Sequence, residues 1–170
     1  MATRWTFLPT MPLALALISV NAASTAAQSS KLPAPDWQIA AGGNMTFDTA
    51  SVRQNTTAPP NFRSSNFPLG PGDVYIPNGG RFSAVNFPLI NYIFFAYKVT
   101  DNQVEFVLSQ LPKWATTDRF DIQAHVEGNP TKDQMRLMIR ALLADRFRLA
   151  AHHESGRFPF TRCSWTNREG

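Results

Sequence analysis

Residues 119–147 read RFDIQAHVEGNPTKDQMRLMIRALLADRF, and two different periodicities meet inside them. From Arg119 to Val126 the apolar Phe120, Ile122, Ala124 and Val126 alternate with Asp121, Gln123 and His125, the period of a strand with one buried face. Glu127 to Pro130 reads as a loop, and the period then changes. Thr131 and Gln134 have the spacing of a capping box, in which each side chain bonds the other residue's backbone N–H. Beyond them Met135, Met138, Ile139 and Leu142 recur at intervals of three and four, with Leu143 widening the stripe, which predicts an amphipathic helix with Arg136 and Arg140 facing solvent. A half-buried strand followed through a short loop by such a helix predicts an α+β domain with helices over one face of a sheet.

Upstream, Asn78-Gly79-Gly80 is a turn signal, and Arg81 to Val85 alternates as a second half-buried strand. Asn86 is placed to cap a helix, with Pro88 in its first turn and Leu89, Ile90, Ile93, Phe94 and Tyr97 at helical spacing. Tyr92 and Phe95 make this helix apolar on nearly every side. Such a helix is either buried centrally or presents a patch to a partner, and burial is the expectation. Gln103 to Leu108 reads as a strand, Pro112 to Trp114 as a turn, and Arg148 to His153 as a last strand returning beside the sheet. Met45 to Val52 supplies one more strand, and Gln54 to Pro71, rich in proline, an irregular excursion. The fold predicted is α+β: a small, mostly antiparallel sheet with two principal helices packed on one face.

At the start of the chain Arg4 precedes an apolar run from Phe7 to Val20, then small residues from Ala22 to Ala27. This is the pattern of a secretory signal peptide, 1–27, cleaved after Ala27 with Thr25 and Ala27 as the small residues before the cut. The run is about fourteen residues and contains Pro9 and Pro12, short of the roughly 20 a membrane span needs. The mature chain is expected in the periplasm or outside the cell, with residues 28–44 a flexible segment. Its single cysteine, Cys163, excludes an internal disulfide and CxxC redox chemistry. Twelve Arg against four Lys give a net charge of +4 in the whole chain, but the charges are scattered, and nucleic acid is not expected as a partner.

Several short pieces then resemble one family. They are Phe47-Asp48-Thr49-Ala50-Ser51-Val52-Arg53, Gly79-Gly80-Arg81-Phe82-Ser83-Ala84, Asn86-Phe87-Pro88-Leu89 and Ala96-Tyr97. Pro112 to Trp114, Arg119-Phe120-Asp121-Ile122, Gln134-Met135 and Leu142-Leu143-Ala144-Asp145-Arg146-Phe147 follow in the same order. Together they look like a soil-associated, acidobacterial-type secreted family with a domain of unknown function, here spanning residues 45–160. The resemblance implies export and no catalytic residue. It also implies association with a membrane sensor peptidase, hence a ligand-sensing or protein-binding role. Relatives continue with an apolar strand and a second portion, whereas 161–170 is read as an aberrant or disordered tail and the domain as truncated.

The densest chemistry is His152-His153-Glu154, with His125 on a strand nearby. Neighbouring strand residues face opposite sides, so His152 and His153 do not share one metal, unlike the helical HExxH pair. Asp118 and Asp121 diverge and are expected to pair with arginines. Ser51 and Ser83 lack a nucleophile elbow, and no glycine-rich phosphate loop is present. Arg136, Arg140, Arg146 and Arg148 offer a basic stripe to anionic ligands, with a solvated helix face as the expected account. The reading is an exported, non-catalytic ligand- or protein-binding module with no catalytic, cofactor or metal residues assigned. A binding surface is expected as an apolar groove near Tyr92 and Phe95. One alternative is a metal-dependent hydrolase using His125, His152 and Glu154; the other is a truncated member without function.

Overall fold

The computed structural model describes residues 36–57, 59, 62–154 and 160–165, with side chains described as far as Ala151. The leader 1–27, residues 28–35 of the segment 28–44 and residues 166–170 of the tail lie outside the described residues. A short helix α1 (Asp36–Ala40) precedes β1 (Thr49–Gln54), β2 (Ser64–Ser65) and β3 (Arg81–Pro88). Helices α2 (Leu89–Tyr97), α3 (Asp101–Gln110) and α4 (Trp114–Thr117) follow, then β4 (Arg119–His125), α5 (Lys132–Phe147), β5 (Leu149–Glu154) and β6 (Phe160–Trp165). The first four strands form an antiparallel sheet in the order β1-β4-β3-β2, and β5 and β6 form a separate antiparallel ribbon. The architecture is α+β, as the patterning predicts.

The alternation in β3 and β4 is what builds the core. Phe82 and Ala84 on β3, with Phe120, Ile122 and Ala124 on β4, turn one face inward against α2 and α5. Helix α2 is buried along its length, with Leu89, Tyr92, Ile93, Phe95 and Ala96 fully enclosed. That settles its apolar circumference as central burial and removes Tyr92 and Phe95 from any surface groove. The Tyr92 hydroxyl is satisfied inside, donating to the Phe120 carbonyl at 2.8 Å, and burial pushes its pKa far up, with Asp121 adding to the shift.

Four local expectations are corrected. Gln103 to Leu108 is helix α3, because Thr100 and Gln103 form a capping box of the same type as Thr131 and Gln134, the Gln103 carbonyl oxygen accepting the Thr100 N–H at 3.0 Å. Asn86 does not cap α2. It sits at φ 63° where the β3–β4 register shifts between Ala84 and Phe87, and its amide donates to the carbonyls of Pro59 and Phe62. Arg136 does not face solvent: it has no exposed surface. The last strand does not join the main sheet, because a one-residue link, Arg148 at φ 55°, turns β5 back along α5, where it pairs with β6. Residues 161–165 of the expected tail are therefore the paired part of β6.

The β3 turn is held at one point with no room to spare. Gly80 has φ +71° and accepts the Val126 N–H at 3.1 Å; a Cβ there would lie 1.9 Å from the Val126 carbonyl oxygen. Gly79, at φ +68°, faces open space. Gly79→Ala is expected to cost about 1 kcal/mol, the price of a left-handed backbone, and Gly80→Ala at least about 2 kcal/mol more from the collision. Urea denaturation of the two variants checks this, and equal midpoints would contradict it.

Candidate functional site

Helix α5 carries two arginines one turn apart whose surroundings differ sharply. Arg136 shares a stripe with Ile139 and Leu143 and enters the interior. Its guanidinium donates to the carbonyls of Pro71 at 2.7 Å and Gly72 at 2.9 Å, to Asp73 at 2.8 Å and to Asp133 one turn back. It also lies 5.5 Å from the centre of the Phe95 ring. Lys98, left-handed at the end of α2, completes the network with Asp73 at 2.9 Å and Asp133 at 3.8 Å. The Lys98 ammonium, and after it the Arg136 guanidinium, holds the Asp73 carboxyl down at about 2. Lys132, buried in the first turn of α5, is drawn below the usual lysine value by burial and then by the Arg136 charge. This cluster ties the segment 71–73 to α5 and is structural in its geometry, every named acceptor belonging to the chain itself.

Arg140 lies on the other stripe of α5, with Leu137, Ala141 and Ala144. That stripe forms one wall of an open groove of about 620 Å³, closed on its other sides by α1 with residues 43–46 and by Leu149 to Ala151 of β5. The lining is mostly apolar, and Arg140 is its one charged residue. The guanidinium stands 4.7 Å over the ring of Tyr97, and among the described residues it has no hydrogen-bond or ion-pair partner. A smaller cleft of about 180 Å³ continues past Thr46 and Ala141 toward Asp48 and Asp145.

The candidate metal residues are placed apart in the topology. His125 is exposed at the end of β4, in register with Thr49 on one side and Arg81 on the other. His152 and Glu154 are on β5, in the other sheet, and their side chains lie outside the described part. Among the described residues no group of three His, Cys, Asp or Glu side chains is placed to hold a metal ion. Asp121 takes amide hydrogen bonds from Asn55 and from the Asn86 backbone, and Asp118 from Gln54, in place of the expected arginine pairs. Cys163 falls on β6 opposite Ala151. No described helix is long and apolar enough to cross a membrane.

Residues 90–161 match the model of a family described as a protein of unknown function (DUF3738). The match takes in the whole α5 and β5 wall of the groove and Tyr97, while α1 and residues 43–46 precede it. The pieces of family resemblance at Phe47 to Arg53 and Gly79 to Leu89 lie outside it. No curated protein and no solved structure matches the chain.

Sequence reasoning grouped Arg136 and Arg140 with Arg146 and Arg148 as one basic stripe, read as a solvated helix face, and did not separate the two. Helical spacing carried the signal for the first, since Lys132, Arg136, Ile139 and Leu143 fall along one line of α5. Asp73 binds its proton more weakly in the folded chain than in the unfolded one. Its contribution is thus complete above the ordinary value of 3.8 and is lost as pH falls toward 2. The carboxylate is largely exposed, so water screens part of it. In urea unfolding from pH 7 to pH 2, Asp73→Asn is expected to be less stable than the parent at pH 7 and to converge with it near pH 2; parallel curves would count against the ion-pair account.

Proposed function

We propose that the protein is an exported, non-catalytic binding module and that the groove between α5, α1 and β5 is its ligand site. The observation that carries this reading is the groove itself: its volume of about 620 Å³ falls in the range of small-molecule sites, and it combines an apolar lining with one charged group. Its stripe of α5 presents small side chains at Ala141 and Ala144, which leave room beside the helix. Export rests on the leader pattern, Arg4 followed by the apolar run from Phe7 to Val20 and the small residues to Ala27. The soil-associated secreted family that the sequence resembles is a fitting context, and a role in sensing beside a membrane peptidase is one such a groove would serve.

Produced in a bacterium with a periplasm, the chain is expected to be recovered there beginning at Gln28. The recovered protein is expected to bind a neutral, environment-sensitive apolar dye, and Ala144→Trp, which fills the groove from an exposed helix position, to abolish the signal while leaving the circular dichroism unchanged. Dye binding unaffected by the tryptophan, or no binding by the parent, would refute the groove as the site. Retention in the cytoplasm at full length would refute export.

A further inference from the structure

We propose that the groove takes a free alkyl carboxylate, an unbranched apolar chain ending in one carboxylate, and that Arg140 is the residue that recognises its head. This rests on the groove being the binding surface. The contrast between Arg136 and Arg140 on α5 points to it. Arg136 donates from its two terminal nitrogens to two carboxylates and two backbone carbonyls, whereas Arg140, one turn on, has no acceptor among the described residues. What Arg140 does have is the Tyr97 ring at 4.7 Å. The ring holds the guanidinium by its charge without consuming the N–H donors at its edge, which have no acceptor among the described residues.

Those edge donors set the head group. Two parallel N–H bonds match the two oxygens of a carboxylate, and the match is bidentate and planar. A dianionic phosphate would call for a second cation, and the groove lining offers none. The rest of the lining sets the body. Ala141 and Ala144 on α5 and Ala151 on β5 line the groove with small side chains, and Leu137, Leu149 and Met45 add aliphatic surface. A lining of small and aliphatic side chains on both sides suits an unbranched chain lying between them.

Competition against the neutral dye tests the assignment, with the full chain at neutral pH and decanoate and decan-1-ol as the two probes. They share a chain length and differ in the head group. The parent is expected to release dye at decanoate concentrations about tenfold or more below those of decan-1-ol, the range of a charge-assisted hydrogen bond. Arg140→Gln is expected to bring decanoate to the level of decan-1-ol and leave decan-1-ol unchanged. Equal potency of the two probes in the parent would overturn the carboxylate assignment while the groove stood. Preference surviving in Arg140→Gln would overturn the role of Arg140. Failure of either probe to displace bound dye would overturn the alkyl chain as the body, whereas failure of the dye itself to bind would remove the groove reading beneath it.

Discussion

A guanidinium with no exposed surface has to find acceptors, and Arg136 finds them in the least regular part of the chain. Two backbone carbonyls at Pro71 and Gly72, which neither a strand nor a helix satisfies, receive its N–H groups, and Asp73 and Asp133 balance its charge. Removing a charge of this kind from its partners costs several kcal/mol, because the carbonyls and carboxylates left behind keep their desolvation. The bond network therefore fixes where the segment between β2 and β3 lies. It does so at the point where α2 ends, since Lys98 joins the same two aspartates.

With that segment fixed, the aromatic layer above the sheet closes. Phe67, from the same irregular stretch, is 2 % exposed and meets Phe82, Phe95 and Tyr75 at 5.9, 5.7 and 5.1 Å. Asn86 does for the preceding stretch what Arg136 does for this one, giving the carbonyls of Pro59 and Phe62 their donors from the bulge in β3. The β1-to-β2 connection, which must pass two strands, is thus tied at the point where the sheet register slips, as it is at its start by the Asn55 amide on Asp121. Once the inner stripe of α5 is committed to the core through Met135, Ile139 and Leu143, its outer stripe is free to line a surface. The groove is the consequence, and β5, turned back by the single left-handed Arg148, is its far wall.

How much of this was legible in the sequence depends on whether a signal was local. Strands β3 and β4 and helix α5 carry alternation or helical spacing and a Thr-x-x-Gln box, and they form where those signals place them. The same box at Thr100 and Gln103 identifies α3, but the short apolar run from Val104 to Leu108, interrupted only at Glu105, masks it. A short apolar run fits both periods. Asn86 before Pro88 has the composition of a helix cap, yet its partners at Pro59 and Phe62 are 27 and 24 residues away in the chain and leave no local trace. The site was hidden for the same reason. Arg136 and Arg140 are two similar letters in one helix, and only the tertiary placement of the 71–73 segment and of Tyr97 separates a structural cation from one that faces a groove.

The dependence of the fold on Arg136 is most directly measured by urea unfolding of Arg136→Met, a change that keeps an aliphatic stem and removes the donors. The account predicts a loss of about 3 kcal/mol or more, together with lost amide-exchange protection around Phe67 and Tyr75. A variant within about 0.5 kcal/mol of the parent, with that protection intact, would contradict it.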